Sequence, residues 1–537
     1  LISQISKASR RFAPPAMAEL FRKIFTVNII LNSKNKIMNF CIRIVNALFM
    51  ILIIWIFLIN IIKIGQNHDF VKISLLLFLL IVVLTIIYFP KPMANRIFGF
   101  IMQNKWIRLF SAFSSLLLGF IARFGFALLD YVPVMDSSTY YINAASLIET
   151  GKLSSGFYIG MFPHIYAYTV ALTAIFKITG IGLWGVILLN TFFDILSAFL
   201  IGYLIYLLTR SYKWPIFSFC IWWLSPFNIL FCAVSLPVIA VNTFIIILIV
   251  LAVHLFNNIN CFKYLIYFSV VFAVAIAILD AFRPISIIVM IAILIYYTFL
   301  IIKESKWQTF YNCIISLIAI ILLSALLSYL WTQTISSATG FPANKYKAGW
   351  NIYVGSNYDT NGRYSEKDDE YLVNLMIDYD RDISKIFYRL QNEGINRWKE
   401  LNFIRALQLM INKSLQLAGD MININWDLKG SYPYFDDSWI KYDIIRIISG
   451  IYWYFILIFT FHYSLKRKKC EPFNFILFIK ILIIGFFLAF LAVEVMNRYF
   501  TIFFPMFTVL SILGFHKMVE KCKNLTPESL HLKQMSK

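Results

Sequence analysis

Asp136 lies in the polar stretch Leu128–Lys152 (LLDYVPVMDSSTYYINAASLIETGK), directly after a strongly apolar run and four residues before Tyr140 and Tyr141. A carboxylate at a membrane exit has the chemistry of a general base, able to take the proton of an attacking hydroxyl. Transfer of a sugar from a lipid phosphate needs one such base and no partner acid, because the phosphate departs as a stable anion. Glycosidases instead use two carboxylates at a set separation. Asp130, at the end of the preceding apolar run, is the second candidate. It would orient the base or an acceptor, or pair with Arg123. The plain alternative for Asp136 is a solvated acid, or the cap of a helix over Ser137–Thr150, since Asp is a favoured N-cap residue.

The cations that would accompany such a base are Arg283 and Arg498. Arg283-Pro284 follows Asp280 at a turn, and Pro284 suits the first turn of the next helix. Arg498 stands in AVEVMNRYFTIFFP, one helical turn from Glu494. An unpaired guanidinium beside a membrane costs several kcal/mol. Each arginine therefore either pairs locally, with Asp280 and Glu494 respectively, or grips an anionic headgroup through its forked donors. Tyr140, Tyr141, Glu494 and Tyr499 are the neighbours that would position an acceptor or substrate. Arg123 and Asp194 fall inside apolar runs, where ionisable residues mark function by default and a structural ion pair is an equal alternative. His164 reads as an interface residue.

These residues must be positioned by a membrane scaffold. The chain has 537 residues, 60% of them hydrophobic and 14% charged, with a mean hydropathy of +0.75. Soluble domains carry about 25% charged residues. The formal net charge of +21 comes with 27 acidic residues. More than half of those acids lie in the nearly neutral segment Thr332–Ile445, while the basic excess lies in the amino-terminal tail and in short loops. That is the pattern of the positive-inside rule, and it excludes a phosphate-reading, nucleic-acid-binding surface. The seven cysteines avoid both large polar loops and show no CxxC or Cys/His spacing, so neither a disulfide framework nor a zinc site is indicated. Abundant Asn, Ile, Lys and Phe fit an AT-rich bacterial genome.

Apolar runs near the roughly 20 residues needed to cross hydrocarbon occur at 41–64, 73–90, 107–128, 183–208, 214–233, 236–256, 264–280, 284–302, 309–331, 447–465, 473–492 and 500–516. A further run, Phe162–Ile178, is read as a half-helix in the interface, because counting it as a span would invert every later loop. The basic residues Lys91, Arg96, Lys105, Arg108, Arg210, Lys213, Lys303, Lys306 and Lys466–Lys469 then share the cytoplasmic face. Four regions meet on the opposite face: the 128–180 loop, the 280–284 turn, the 332–445 segment and the 493–499 turn. Residues 1–37 read as a basic cytoplasmic tail or as an over-extended start before Met38. Residues 38–106 hold two added spans, 107–331 a core with its loop at 128–180, 332–445 an outer domain, 446–517 the last spans and 518–537 a cytoplasmic tail. In the outer domain, Ser365 and Asp368 open a helix running towards Gly394, a second covers Ile395–Leu417, and Gly349–Gly362 has the composition of turns.

The segments PVMDSSTYYINAASLIETGK, FPHIYAYTVALTAIFKITG, Asn190–Arg210, FRPISII, GWNIYVGSNYDTNGRYSEKDD and EVMNRYFTIFFP, in that order over Ser111–Lys517, resemble bacterial membrane glycosyltransferases related to protein O-mannosyltransferases and the lipid A aminoarabinose transferase (glycosyltransferase family 39-like). The resemblance implies an all-α polytopic membrane protein with a GT-C-like bundle of about twelve spans, interfacial helices and a mainly helical extracytoplasmic loop domain. It further implies inverting transfer from a polyprenyl-phosphate sugar to an extracytoplasmic glycan, lipid or protein acceptor in a bacterial plasma membrane. Asp136 takes the base position, and Arg283 and Arg498 hold the donor phosphate. Two departures stand out: Ser137 follows Asp136 where many relatives carry an Asp-Glu pair, and the two spans before the core are additional. No cofactor is expected, with a divalent cation left open. A cell-envelope polysaccharide polymerase or ligase is the main alternative. A lipid-linked sugar transporter ranks below it, since the sequence shows neither internal repeats nor broken helices.

Overall fold

In a computed structural model, residues 27–66, 71–79, 104–304, 306–346, 348–419, 430–433, 439–465 and 475–523 are described. Every regular element among them is helical. A chain surrounded by hydrocarbon must satisfy its backbone polar groups within each segment, and long apolar helices do so. The chain opens with α1 (Val27–Gly65) and α2 (Lys105–Gly125), the latter prolonged by a 3-10 turn at Phe126–Leu128. Three shorter helices follow, α3 (Met135–Glu149), α4 (Gly156–Met161) and α5 (His164–Thr179), before α6 (Leu183–Thr209). Next come α7 (Lys213–Trp223), α8 (Pro226–Cys232), α9 (Val238–Asn257), α10 (Phe262–Phe282), α11 (Ser286–Glu304) and α12 (Trp307–Thr339). The outer segment holds α13 (Gly349–Gly355), α14 (Glu366–Asp378), α15 (Ile383–Glu400) and α16 (Phe403–Gly419). The chain then returns through α17 (Trp439–Leu465), α18 (Phe475–Ala492), a 3-10 helix at Asn497–Phe503 and α19 (Phe504–Lys523).

Among the described residues, ten helices are long and apolar enough to cross a membrane. The protein is a multi-pass helical membrane protein. The pair α7 and α8, bent by 53° at its break, adds an eleventh crossing if counted as one. The expected span at 73–90 lies largely outside the described residues, as do the Lys466–Lys469 cluster, the first residues of the chain and most of the carboxyl-terminal tail. The run at 162–178 forms α5, whose 16 residues extend about 24 Å, short of the roughly 30 Å hydrocarbon core. It packs on α3, α6 and α10.

The 214–233 run was expected to be one continuous, unbroken span. Its two parts meet at Leu224–Ser225, and Pro226, which has no amide hydrogen and clashes with a continuing helix, begins the second. Breaking a helix inside a membrane frees carbonyls that need partners. Arg123 provides one. Its guanidinium donates to Trp223 O at 2.8 Å and to Gly119 O at 2.8 Å, and it lies over the Trp223 ring at 3.8 Å. A cation at a helix carboxyl end also meets the negative end of the helix dipole. Asp194 of α6 forms an ion pair with Arg123 and accepts from Trp222 Nε1 at 2.8 Å, with both ion-pair side chains fully buried. Gly119 is required here, since a Cβ would enter the Trp223 indole. Arg123 and Asp194 are thus mutual partners that cap a broken span.

The outer segment departs from its expected boundaries. Ser365 does cap α14, its Oγ accepting from Asp368 N at 3.2 Å. The helix stops at Asp378, because Asp380 and Arg381 have φ of 46° and 58°, values that interrupt a right-handed helix. A second interruption at Leu401–Asn402 separates α15 from α16, so no helix runs through Gly394 to Leu417. The Gly349–Gly362 stretch, expected to be turns, begins with α13. Trp350, Tyr353, Leu372, Ile383, Phe387 and Leu390 form a separate small core with Met161 of α4, which ties this segment to the first loop.

Removing one member of the Arg123–Asp194 pair strands the other in a membrane interior. Asp194→Ala is expected to cost about 3–5 kcal/mol, read as a lower melting temperature and loss of monodispersity in detergent. An unchanged melt would show that the break is held by packing alone.

Candidate functional site

The first loop, the 283–285 turn, the outer segment and the 493–496 turn gather at one end of the bundle. Asp136 lies in the first turn of α3, with Val134 as N-cap residue. Ser137 Oγ accepts from Val134 N at 3.0 Å and donates to Val134 O at 2.7 Å. Asp136 is therefore not the cap of a helix over Ser137–Thr150, and its carboxylate is left for other contacts. Met135, just before it, has φ 48°, in the left-handed region that L-residues avoid.

A fifth segment, 233–237, fixes this loop from below. Ser235 Oγ donates to Ser137 O at 2.8 Å, Tyr131 Oη lies 2.8 Å from Ser235 Oγ, and Ser235 N donates to Tyr131 Oη at 3.2 Å. Asn190 Nδ2 holds the same segment at Val234 O, 2.9 Å away, and Tyr432 Oη donates to Ala233 O at 2.6 Å. Sequence reading passed over Ser235, whose type and spacing carry no chemical signature. Only its place after a broken helix makes it a clamp.

The carboxylate of Asp136 forms an ion pair with Arg498 Nη2, with the Asp136 side chain half exposed and Arg498 largely buried. For Arg498 the sequence left two partners open, Glu494 or an anionic headgroup. It reaches across to the first loop, which brings Asp136 and Arg498 together from opposite ends of the chain. Glu494 is buried and accepts from Tyr499 Oη at 3.4 Å. The Arg283 guanidinium lies over the Tyr499 ring at 4.0 Å, a cation–π contact. The Arg283 guanidinium makes no hydrogen bond or ion pair with another described residue; the carboxylate of Asp280 accepts from Ser286 Oγ at 2.8 Å. Local pairing of Arg283 with Asp280 is thus replaced by an arginine whose donors remain open beside Asp136, Arg498, Glu494 and Tyr499.

Tyr140 is buried, edge-on to Tyr168 with ring centroids 5.4 Å apart. Burial raises its pKa above the usual phenol value, the Asp136 charge raises it further, and Arg498 and Arg283 act in the opposite direction. Tyr158 of α4, which no sequence feature distinguishes, is held high by burial and then by Asp136, Asp369 and Glu494. Tyr141 points elsewhere, packing edge-on against Phe176 and Tyr131. Asp130 is exposed and makes no bond to another described residue, so the structure leaves it outside the cluster.

The 493–496 turn is set by the outer segment. Glu494 N donates to Asn351 O at 2.7 Å and Val495 N to Gly362 O at 3.1 Å. Gly355 lies so close that a Cβ would overlap the backbone of Val493 and Glu494. Beside this turn a cleft opens between the ends of α10 and α12, lined by His164, Asp280, Trp331, Thr332, Trp350 and Asn351. No cluster of three or more His, Cys, Asp or Glu side chains suited to a metal occurs among the described residues. No protein-family model matches the chain, and no curated protein matches it in sequence.

Burial pushes the Glu494 carboxyl up to about 7; Arg498 opposes this, Asp136 adds to it, and the Tyr499 hydrogen bond and Arg283 oppose it. A raised folded-state pKa means that the folded protein holds a proton the unfolded chain has released. The stability from this group is complete below about 4.5 and lost as pH rises to about 7. Glu494→Gln should flatten that fall, gaining up to about 3 kcal/mol over the parent at pH 8 and little at pH 4. Thermal melts of the two proteins across this range measure it, and parallel curves would place the Glu494 carboxyl in water.

Proposed function

We propose that the chain is a membrane glycosyltransferase that moves a sugar from a polyprenyl-phosphate donor to an acceptor outside the cytoplasm. The observation that carries the reading is Arg283: a partly buried guanidinium on an aromatic ring, donors open, beside the Asp136–Arg498 pair. Two guanidinium groups, one ion-paired carboxylate and a Glu494 half protonated near neutrality leave net positive charge in a recess. Such a recess favours a dianionic or monoanionic phosphate, and forked arginine donors match phosphate oxygens. The cleft beside it, with Trp331, Trp350 and polar side chains, has the aromatic faces and hydrogen-bonding groups that fit a sugar.

On this reading the donor phosphate bridges Arg283 and Arg498. It competes with Asp136 for Arg498, so donor binding itself releases the carboxylate. An acceptor hydroxyl oxygen then forms a bond to the anomeric carbon as the bond from that carbon to the phosphate oxygen breaks. The hydroxyl proton passes to Asp136, and the polyprenyl phosphate leaves with the bonding electrons, inverting the anomeric centre. Arg210, Lys213, Lys303 and Lys306, in and beside the short loops between α6 and α7 and between α11 and α12, lie at the bundle end opposite the site. The positive-inside rule supports a cytoplasmic position for that end and an extracytoplasmic one for the site. A polymerase or ligase would favour a pair of arginines in the outer segment; two of the arginines there are engaged elsewhere, Arg389 with Glu393 and Arg397 with Asp368. The α7–α8 break, expected of a transporter, is filled by Arg123 and tryptophans rather than by a passage.

Asp136→Asn should leave folding nearly intact, keep or tighten donor binding by freeing Arg498, and lower transfer from a short polyprenyl-phosphate sugar by about 10²–10⁴-fold, the range of a positioned base. Asp130→Asn should have little effect. Near-parental turnover by a well-folded Asp136→Asn protein would remove Asp136 from the chemistry.

Arg283→Ala should weaken binding of the lipid phosphate by about 1.5–3 kcal/mol, the worth of a charge-assisted hydrogen bond. Lys at this position should restore only part, because a point charge replaces a fork. Unchanged donor affinity in a folded Arg283→Ala protein would make the arginine a packing partner of Tyr499 and no more.

A further inference from the structure

Helix α16 carries an apolar stripe that the protein covers at one end only. Phe403, Ile404, Leu407, Met410 and Ile411 are exposed, Phe403 by 81%, and their spacing places them on one helical face. The same face continues to Ser414 and Ala418, which are buried against α1. Trp55 Nε1 donates to Ser414 Oγ at 2.9 Å, and Asn60 Nδ2 donates to Ala418 O at 2.9 Å. Trp55 and Asn60 lie inside the span Met38–Gly65, about 15 and 7 Å from its end at 1.5 Å per residue.

The carboxyl-terminal half of α16 is therefore at membrane depth, on the same level as the exposed Ile54, Leu58 and Ile61 of α1. Those side chains face lipid, and the stripe on α16 extends the same surface. The opposite face of α16 is polar and engaged. Tyr358 Oη donates to Gln408 Oε1 at 2.7 Å, Asn412 Nδ2 to Asn361 Oδ1 at 2.7 Å, and Lys413 Nζ to Gly355 O at 2.7 Å.

We propose that α16 is a membrane-docked helix whose apolar stripe inserts among the acyl chains of the leaflet nearest the site, while its polar face holds the 355–362 loop over the Glu494 turn. The occupant is lipid hydrocarbon. A soluble partner would have to enter the bilayer to reach the stripe, and the stripe is continuous with a surface already facing lipid. Amphipathic helices with one strongly apolar face bind bilayers in this way. The inference requires only that α1 crosses the membrane and is independent of the glycosyltransferase reading.

Hydroxyl-radical footprinting of the unmodified protein in phosphatidylethanolamine–phosphatidylglycerol vesicles tests it. Phe403, Ile404 and Met410 should escape oxidation, although Tyr388 of α15, at 55% exposure, is modified. In the second arm, benzoylphenylalanine replaces Leu407 or Gln408 and is photolysed in the same vesicles. The Leu407 site should give phospholipid adducts and the Gln408 site none. Oxidation of Phe403 and Met410 on the scale of Tyr388 would overturn the proposal, as would chain-to-chain adducts from the Leu407 site. If the substituted chains fail to fold, the footprint of the unmodified protein decides the matter.

Discussion

The Arg123–Asp194 ion pair is the constraint on which the rest of the bundle end depends. A buried pair is a weak source of stability, because desolvating two ions offsets their attraction. Its value here lies in what it makes possible. With Trp223 O satisfied by Arg123 and Trp222 held by Asp194, the span can stop in the middle of the bundle and continue irregularly. The irregular backbone after α8 then presents Ser235 to Ser137 and Tyr131, and so sets the start of α3. Asp136 follows one residue before Ser137. A charge pair inside the membrane thereby determines where a carboxylate stands at its surface.

A second set of contacts arrives from the other side. The outer segment holds the backbone of Glu494 and Val495 through Asn351 and Gly362, so Arg498 and Tyr499 begin from a fixed turn. Arg498 meets Asp136, Tyr499 carries Arg283 on its ring, and Glu494 is enclosed among them. The first loop and the last turn are thus joined by charge across the mouth of the bundle. Asp136 and Arg498 come from opposite ends of the chain, and Arg283 and Tyr499 from separate turns.

Much of this was legible in the sequence. Apolar runs delimit the spans because lipid imposes length and polarity, and Ser365 marks its helix start through capping chemistry. Asp136, Arg283, Arg498, Tyr140, Glu494 and Tyr499 were identified by being polar at apolar borders, and they do converge. Tyr141 met the same criterion and packs against Phe176 and Tyr131, and Asp130 met it and is exposed, since composition does not tell which way a side chain points. Pairing stayed open in the sequence: proximity offered Glu494 to Arg498 and Asp280 to Arg283, with a headgroup as the alternative, and the fold joined Arg498 to Asp136. The break at Leu224–Ser225 was hidden because both halves are apolar, and Ser-Pro in an apolar run reads equally as a kink. The breaks at Asp380 and Leu401 were hidden because helix-forming residues surround them.

The position of Gly355 against Val493 and Glu494 has a bearing on how such a chain can diversify. Two stretches separated by more than a hundred residues share one van der Waals surface, and neither can change shape alone. Helix α14 backs the first of these stretches, its Asp368 accepting from Asn357 Nδ2 at 3.0 Å and its Leu372 packing in the core with Tyr353. A chimera that borrows a whole outer segment from another protein would also have to borrow its 493–496 turn. Any replacement of α14 would have to keep Leu372 in the core with Trp350 and Tyr353, and Asp368 on Asn357 and Arg397, or the seam would lose its backing.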